Sequence, residues 1–254
     1  MSADPLALVR SLVPQPPPGA ARERLVLEGV RFVHCAWPRC RFERLVVSRV
    51  LLQSSAGRRF VAARRSEGVP VHEVSPEVFR SVSTAKRASG ILAVVRVPPA
   101  RLPAEPGSPW LVVRSIRSPG NLGSLIRTLA ALGGGGLVVL GDSLDPWEPD
   151  VVRASMGGIF AIPVVRTEWT PLLRWSRRHR VRILAAEPSG DAVLGRFRLP
   201  RRVAFFLGDE RQGIHPRDLR RCDGTVAVPT HPPVPSLNVA QTGAMLLWEA
   251  QRKG

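Results

Sequence analysis

Residues 110–132 read Trp110-Leu-Val-Val-Arg-Ser-Ile-Arg-Ser-Pro-Gly-Asn-Leu-Gly-Ser-Leu-Ile-Arg-Thr-Leu-Ala-Ala-Leu132. The opening run, Trp110–Ile116, is apolar and rich in β-branched residues, and Pro119-Gly120 marks a tight turn. From Leu122 to Leu132 apolar residues recur at helical spacing. Strand, turn and helix together form the unit of a parallel sheet, because parallel neighbours need a crossover connection and a helix supplies it. The unit recurs downstream. Strands are expected at Leu137–Leu140, Ile162–Val165, Arg182–Ala186, Val203–Leu207 and Thr225–Val228. Helices are expected at Leu122–Leu132, Val151–Met156, Pro171–Arg180, after Pro216, and from Asn238 to Lys253. Residues 110–254 therefore read as an α/β domain, a parallel sheet with helices on both faces.

Working back from that unit, residues 98–109 carry Pro98, Pro99, Pro103, Pro106 and Pro109, a semi-rigid linker. Residues 21–97 form a second, small α/β domain. In it Val26, Val30, Val33 and Trp37 predict an amphipathic helix, Leu45–Val47 is a short apolar run, Val69–Val74 and Ile91–Val97 predict strands, and Arg58–Arg65 is a basic helical stretch. Pro76 opens a further helix. Residues 1–20, with Pro5, Pro14, Pro16, Pro17 and Pro18, read as a flexible leader.

Charge narrows the partners. The chain of 254 residues has 37 Lys+Arg against 20 Asp+Glu, a net charge of +17. Only Lys86 and Lys253 are lysines. Such a field favours polyanions, nucleic acid ahead of anionic membrane. Arg58, Arg59, Arg64 and Arg65 are candidate RNA contacts in the small domain, with Arg177/Arg178/Arg180/Arg182 and Arg196/Arg198/Arg201/Arg202 further on. With no Tyr and 6% aromatic residues, phosphate and shape contacts are expected to outweigh base stacking. Cys35, Cys40 and Cys222 have no C-x-x-C spacing, and the five histidines no metal-ligand spacing, so no disulfide framework or metal site is expected. No apolar run approaches a membrane span and no secretory pattern opens the chain; the expected location is the cytoplasm.

Ligands of parallel α/β sheets sit outside the carboxyl ends of the strands. Three segments fall there. Ser118-Pro-Gly-Asn121-Leu-Gly123-Ser-Leu-Ile-Arg127-Thr follows the first strand, and Asn121 is placed to cap the helix. Leu207-Gly208-Asp-Glu210-Arg-Gln-Gly213-Ile ends a later apolar strand, with two glycines around an acidic pair. Val228-Pro-Thr-His-Pro-Pro-Val-Pro-Ser236-Leu237-Asn238-Val is a proline-stiffened loop in which Ser236 or Asn238 caps the last helix. The dinucleotide fingerprint and the Walker sequence are both absent.

In this order and spacing the three segments resemble the three motifs of the SpoU (TrmH-type) RNA methyltransferases of the SPOUT superfamily. Asp145–Phe160 is similar to the segment between the first two motifs. More weakly, Leu27–Val33, Val74–Phe79 and Gly90–Val95 are similar to the L30e-like substrate-binding domain of the ribosomal RNA enzymes. Arg114 and Ser118 stand where that family commonly has acidic residues, and Lys86-Arg-Ala-Ser-Gly90 and Ala240-Gln241-Thr242 also depart from its pattern.

The resemblance implies a homodimer that methylates a ribose 2′-hydroxyl with S-adenosylmethionine, its cofactor held in a C-terminal trefoil knot. It implies a catalytic set of Asn121, Arg127, Glu210, Ser236 and Asn238. Gly208, Val228, Leu237, Leu140 and Gly213 are implied to line the cofactor cleft. Arg127, a guanidinium that stays protonated, is expected to grip substrate phosphate and stabilise developing alkoxide charge. Glu210 and Asn121 are expected to orient Arg127, and Ser236 and Asn238 to shape the pocket and a dimer-facing helix. Large-subunit ribosomal RNA is favoured over tRNA, because the chain ends soon after the third motif. The rival reading is an RNA-binding or ribosome-assembly protein that keeps the fold without turnover.

Overall fold

The computed structural model describes residues 6–12, 23–85, 88–97, 100–107, 109–141, 143–234 and 236–252. All five leader prolines, Lys86, Pro98, Pro99 and Ser108 lie outside the described residues. The chain divides into two compact units, Met1–Pro99 and Ala100–Gly254.

The first unit runs α1 (Ala7–Leu12), β1 (Arg24–Glu28), α2 (Val30–Ala36), β2 (Arg41–Ser48), α3 (Ser55–Ser66), β3 (Val71–Val74), α4 (Pro76–Arg80) and β4 (Ile91–Arg96). Its sheet has the order β1-β4-β2-β3, with β4 antiparallel to both neighbours and β3 parallel to β2. Two expectations are corrected here. Residues 26–37 are not one helix: Val26 lies in β1 and pairs with Val94, and Gly29, at φ +112°, turns the chain before α2 begins. The i, i+4 spacing of Val26 and Val30 is accidental, since a strand partner far along the chain sets the conformation of Val26. Nor is the leader loose throughout, since Leu6 and Val9 are buried against Val46, Phe79, Leu92 and Val94.

The second unit continues with β5 (Trp110–Arg114), α5 (Pro119–Ala131), β6 (Gly136–Leu140), α6 (Pro149–Ala154), β7 (Val164–Thr167), α7 (Trp169–His179), β8 (Arg182–Ala186), β9 (Ala192–Val193), β10 (Val203–Leu207), α8 (Pro216–Leu219), β11 (Gly224–Ala227) and α9 (Val239–Arg252). The seven strands pair in the order β7-β6-β5-β10-β8-β11-β9, every pair parallel. Alternation assigns the two faces. Trp110, Val112, Ile183, Ala185, Ala204 and Phe206 pack with Trp169, Leu172 and Trp175 of α7. The opposite face meets α5 and α9, where Gly243 of α9 lies against Leu125, Leu207 and Leu111.

The proline-rich stretch is not a free spacer along its whole length. Trp175 Nε1 donates to the Pro103 carbonyl at 2.7 Å, Trp110 Nε1 to the Gly107 carbonyl at 2.7 Å, and Leu102 packs on the core. Residues 100–107 thus belong to the second unit, because buried indole N–H groups need acceptors and the linker backbone supplies them.

Helix α5 is packed without room on two sides. A Cβ at Gly123 would fall on Ala154 Cβ and within 2.8 Å of the Val151 carbonyl oxygen, both in α6. Gly123→Ala will therefore destabilise the protein by about 1–3 kcal/mol, outweighing the roughly 1 kcal/mol that alanine gains in helix propensity. Chemical denaturation measures this, and an unchanged or raised midpoint contradicts the close approach.

Candidate active site

The site assembles at the carboxyl ends of β5, β10 and β11, where parallel strands release their loops. Ser118, not Asn121, caps α5: its Oγ accepts the Asn121 N–H at 3.3 Å, with Pro119 in the first turn. Asn121 lies one turn in, which frees its amide for longer-range bonds. Its Nδ2 donates to Glu210 Oε1 at 3.1 Å, and its Oδ1 accepts from Asn238 Nδ2 at 3.0 Å. Asn238 caps α9 as expected, its Oδ1 accepting the Ala240 N–H at 2.8 Å. Glu210 also receives the backbone N–H groups of Arg117 at 3.4 Å and Ser118 at 3.3 Å. A carboxylate at the start of α5 is favoured by the helix dipole as well as by these donors.

The loop after β10 is closed by a bridge between Asp209 and Gly213, and Asp209 Oδ1 accepts the N–H groups of Arg211 at 2.8 Å and Gln212 at 2.9 Å. These two bonds hold the Asp209 carboxyl below the usual range. Gly213 takes φ +69°, and a Cβ at Gly208 would come within 2.5 Å of the Gly213 carbonyl oxygen. Both glycines are required by the backbone.

A cavity of about 560 Å³ opens beside this loop, lined by Gly208, Gly213, Val228, Ser236, Leu237 and Asn238 among others. Glu187, at the end of β8, also lines it. Burial raises the Glu187 pKa above its ordinary value, although the Ile214 N–H bond opposes this. No ion pair to Glu187 is found among the described residues, in a chain of 37 Lys+Arg. Sequence reasoning misses Glu187; its position directly after an apolar strand is the available signal.

A second cavity, of about 680 Å³, lies on the other side of the same loop. Arg114, Arg117, Arg217 and Arg221 line it, with Asp209 and Asp218. Asp218 is buried and takes both carboxylate bonds from Arg114 Nη1, at 2.9 and 3.0 Å, plus one from Arg221 at 3.4 Å.

Three of the expected site residues lie apart from this array. Leu140 is buried in the core on β6, two strands from β10, and lines neither cavity. Glu210 and Asn121 orient each other and Asn238, not Arg127, which is exposed on α5. Six residues of helix separate Arg127 from Asn121 by about 9 Å along the axis and about 120° around it. Arg64 is also not a free RNA contact. Its guanidinium lies 3.7 Å from the Trp37 ring centroid, it pairs with Glu67 at 2.8 Å, and its side chain is 14% exposed. Arg58 gives Nη1 to the Leu52 and Gln53 carbonyls, Arg65 pairs with Glu73 at 2.6 Å, and Arg59 is exposed.

A parallel α/β sheet with a cavity at the carboxyl ends of its central strands, ringed by glycine turns and side-chain-capped helices, defines a cofactor-binding α/β domain. Residues 109–248 match the SpoU rRNA Methylase family, and the chain belongs to it. An uncharacterized tRNA/rRNA methyltransferase of Synechocystis sp. is 31% identical over 197 residues, covering 76% of this chain and 72% of that one. The 23S rRNA (guanosine(2553)-2′-O)-methyltransferase RlmP of Bacillus subtilis is 28% identical, covering 71% and 72%. The crystal structure of the SpoU methyltransferase AviRb from Streptomyces viridochromogenes, in complex with AdoMet, superposes with a TM-score of 0.80 at 26% identity, over 91% of this chain and 90% of that one.

The hydrogen-bonded array predicts energetic coupling. Glu210→Ala and Asn121→Ala will each cost about 1 kcal/mol in chemical denaturation, and the double variant less than their sum. Strict additivity contradicts the array.

Proposed function

We propose that this protein is an S-adenosylmethionine-dependent RNA methyltransferase that modifies a ribose 2′-hydroxyl of large-subunit ribosomal RNA. The observation that carries the reading is the Glu210–Asn121–Asn238 array at the 560 Å³ cavity, joining all three motif segments. The relatives that act on 23S rRNA support the substrate class.

The cavity fits the cofactor chemically. Its volume lies within the roughly 300–1,000 Å³ range of small-molecule sites. Gly208, Gly213, Val228 and Leu237 offer backbone groups and apolar surface, and Glu187 offers a carboxylate to a cation. When bound, S-adenosylmethionine supplies the methyl group on a positively charged sulfur. The chain's own contribution is positioning and charge. Asn121, Glu210 and Asn238 fix the three loops relative to one another, and Ser236 at the cavity wall meets the acceptor ribose. Arg127, exposed on α5 and outside the lining of either cavity in this chain, is the cation assigned in this reading to charge on the 2′-oxygen as that oxygen's proton leaves to solvent; the guanidinium remains protonated throughout.

The trefoil knot belongs to this reading and is supported by α9 packing on α5 and β10 after the chain has laid down the sheet. The first unit is read as an L30e-like RNA-binding domain, in which the exposed Arg58, Arg59 and Arg65 of α3 are the members of the basic cluster placed to meet phosphate. The exposed Met245 and Trp248, three residues apart on α9, support a homodimer. Among the described residues no helix is long and apolar enough to cross a membrane; a cytoplasmic location accords with an RNA substrate.

Calorimetry and mapping of ribose methylation in cells with and without the gene test the function. The wild-type protein will bind S-adenosylmethionine and restore one methylation in large-subunit rRNA; Arg127→Ala will bind it equally while losing at least about 100-fold in kcat. Absence of cofactor binding overturns the enzyme reading, and a site restored in tRNA overturns the substrate. Glu187 adds a pH dependence. Ionised Glu187 attracts the cationic cofactor, so affinity will fall on acidification through its raised pKa. Glu187→Gln will bind more weakly at neutral pH and will lack that fall. Sedimentation equilibrium of wild type will give twice the monomer mass, and of Trp248→Glu the monomer mass; a wild-type monomer contradicts the dimer.

A further inference from the structure

The loop Gly208–Ile214 separates two cavities whose linings have opposite charge. On the cofactor side Glu187, Asp209 and Glu210 face one guanidinium, that of Arg211. On the other side Arg114, Arg117, Arg217 and Arg221 face two carboxylates, Asp209 and Asp218. A uniformly basic chain would make both walls positive; here the sign reverses across one loop.

The arginine side is built rather than incidental. Asp218 is 4% exposed and pins Arg114 through both its oxygens while also holding Arg221, whose guanidinium lies 5.5 Å from the Trp169 ring centroid. Ser115, a non-glycine residue at φ +59°, turns the backbone between Arg114 and Arg117 so that both line the same cavity. His215 Nδ1 accepts the Arg217 N–H at 3.1 Å, which leaves the neutral ring's proton on Nε2 as a further donor in the lining. Arg114 and Arg221, held by Asp218, lose little freedom when they bind a phosphate, and with the exposed Arg117 and Arg217 the four guanidiniums outnumber the two acids of the lining.

We propose that the cavity lined by Arg114, Arg117, Arg217 and Arg221 is the seat of a phosphodiester group of the RNA substrate. The identity of that phosphate rests on the RNA methyltransferase reading; the capacity to bind a phosphate anion does not. A ribose 2′-hydroxyl is the neighbour of a 3′-phosphodiester on the same sugar. A phosphate seat one loop away from the methyl donor thus anchors the acceptor where transfer takes place. The first motif contributes to both sides: its backbone at Arg117 holds Glu210, and the Arg117 side chain lines the arginine cavity.

The test uses the full chain and inorganic pyrophosphate as the probe. Arg117→Ala/Arg217→Ala removes two exposed side chains, and Arg177→Ala/Arg178→Ala on α7 makes the same change of charge elsewhere. Pyrophosphate will raise the Tm of the wild type and of the α7 variant, and will leave that of the cavity variant unmoved. The cavity variant will bind ribosomal RNA at least about tenfold more weakly, and its salt dependence will be shallower by a slope of about 0.7 for each phosphate no longer neutralised. Its affinity for S-adenosylmethionine will stay within about twofold, which also certifies the fold. An equal pyrophosphate response in wild type and cavity variant overturns the proposal, as does an equal loss of response in the two variants. Failure of the wild type to bind S-adenosylmethionine overturns the functional reading instead, and leaves the pyrophosphate comparison standing.

Discussion

The carboxylate of Glu210 is the fixed point of the second unit's functional end. It collects the Arg117 and Ser118 N–H groups and the Asn121 amide, so a loop after β10 is tied to the start of α5 from 89 residues away in sequence. Through Asn121 the tie passes to Asn238 and to the cap of α9. Each amide has its donor and acceptor ends specified by its neighbours, so the array has one self-consistent arrangement. Three loops that would otherwise move independently become one wall.

That wall explains how the sheet serves the chemistry. Parallel strands deliver all their loops at one edge, and the order β5-β10-β8-β11 brings the first motif beside the second and both close to the third. The glycines do the rest by backbone proximity, as with Gly208 against Gly213. The charge carried by the loops is then sorted by position rather than by composition. Acids face the 560 Å³ cavity although the chain as a whole is strongly basic.

Legibility in the sequence follows the range of the interaction. The strands Arg182–Ala186 and Val203–Leu207 are legible to the residue, because their buried stretches, Ile183–Ala185 and the whole of Val203–Leu207, are continuous apolar runs. The three motif segments are legible for the same local reason, as glycine and proline turns directly after such runs. Val26 misleads because its strand partner, Val94, is 68 positions away and leaves no local trace. Arg64 misleads because charge on a helix says nothing of the Trp37 ring that covers it. Leu140 has the sequence of a strand end at the cleft, yet strand order puts β6 outside the pair that opens there. Asn121 has the sequence of a cap, but Ser118 already fills that role, and this is what lets the Asn121 amide reach Glu210.

Helix α5 touches α6 at Gly123, and α9 touches α5 at Gly243, each glycine leaving no thickness of side chain between helix backbones and their neighbours. Such contacts are short and steep: a displacement of a few tenths of an ångström meets repulsion on one side and opens a void on the other. The helix that presents Asn121 is consequently a mechanical datum, a surface against which other parts are measured. Accommodation of differently shaped substrates has to be carried by the loop between Val228 and Asn238 and by exposed side chains. Attempts to redirect such an enzyme will find tolerance there and resistance along α5.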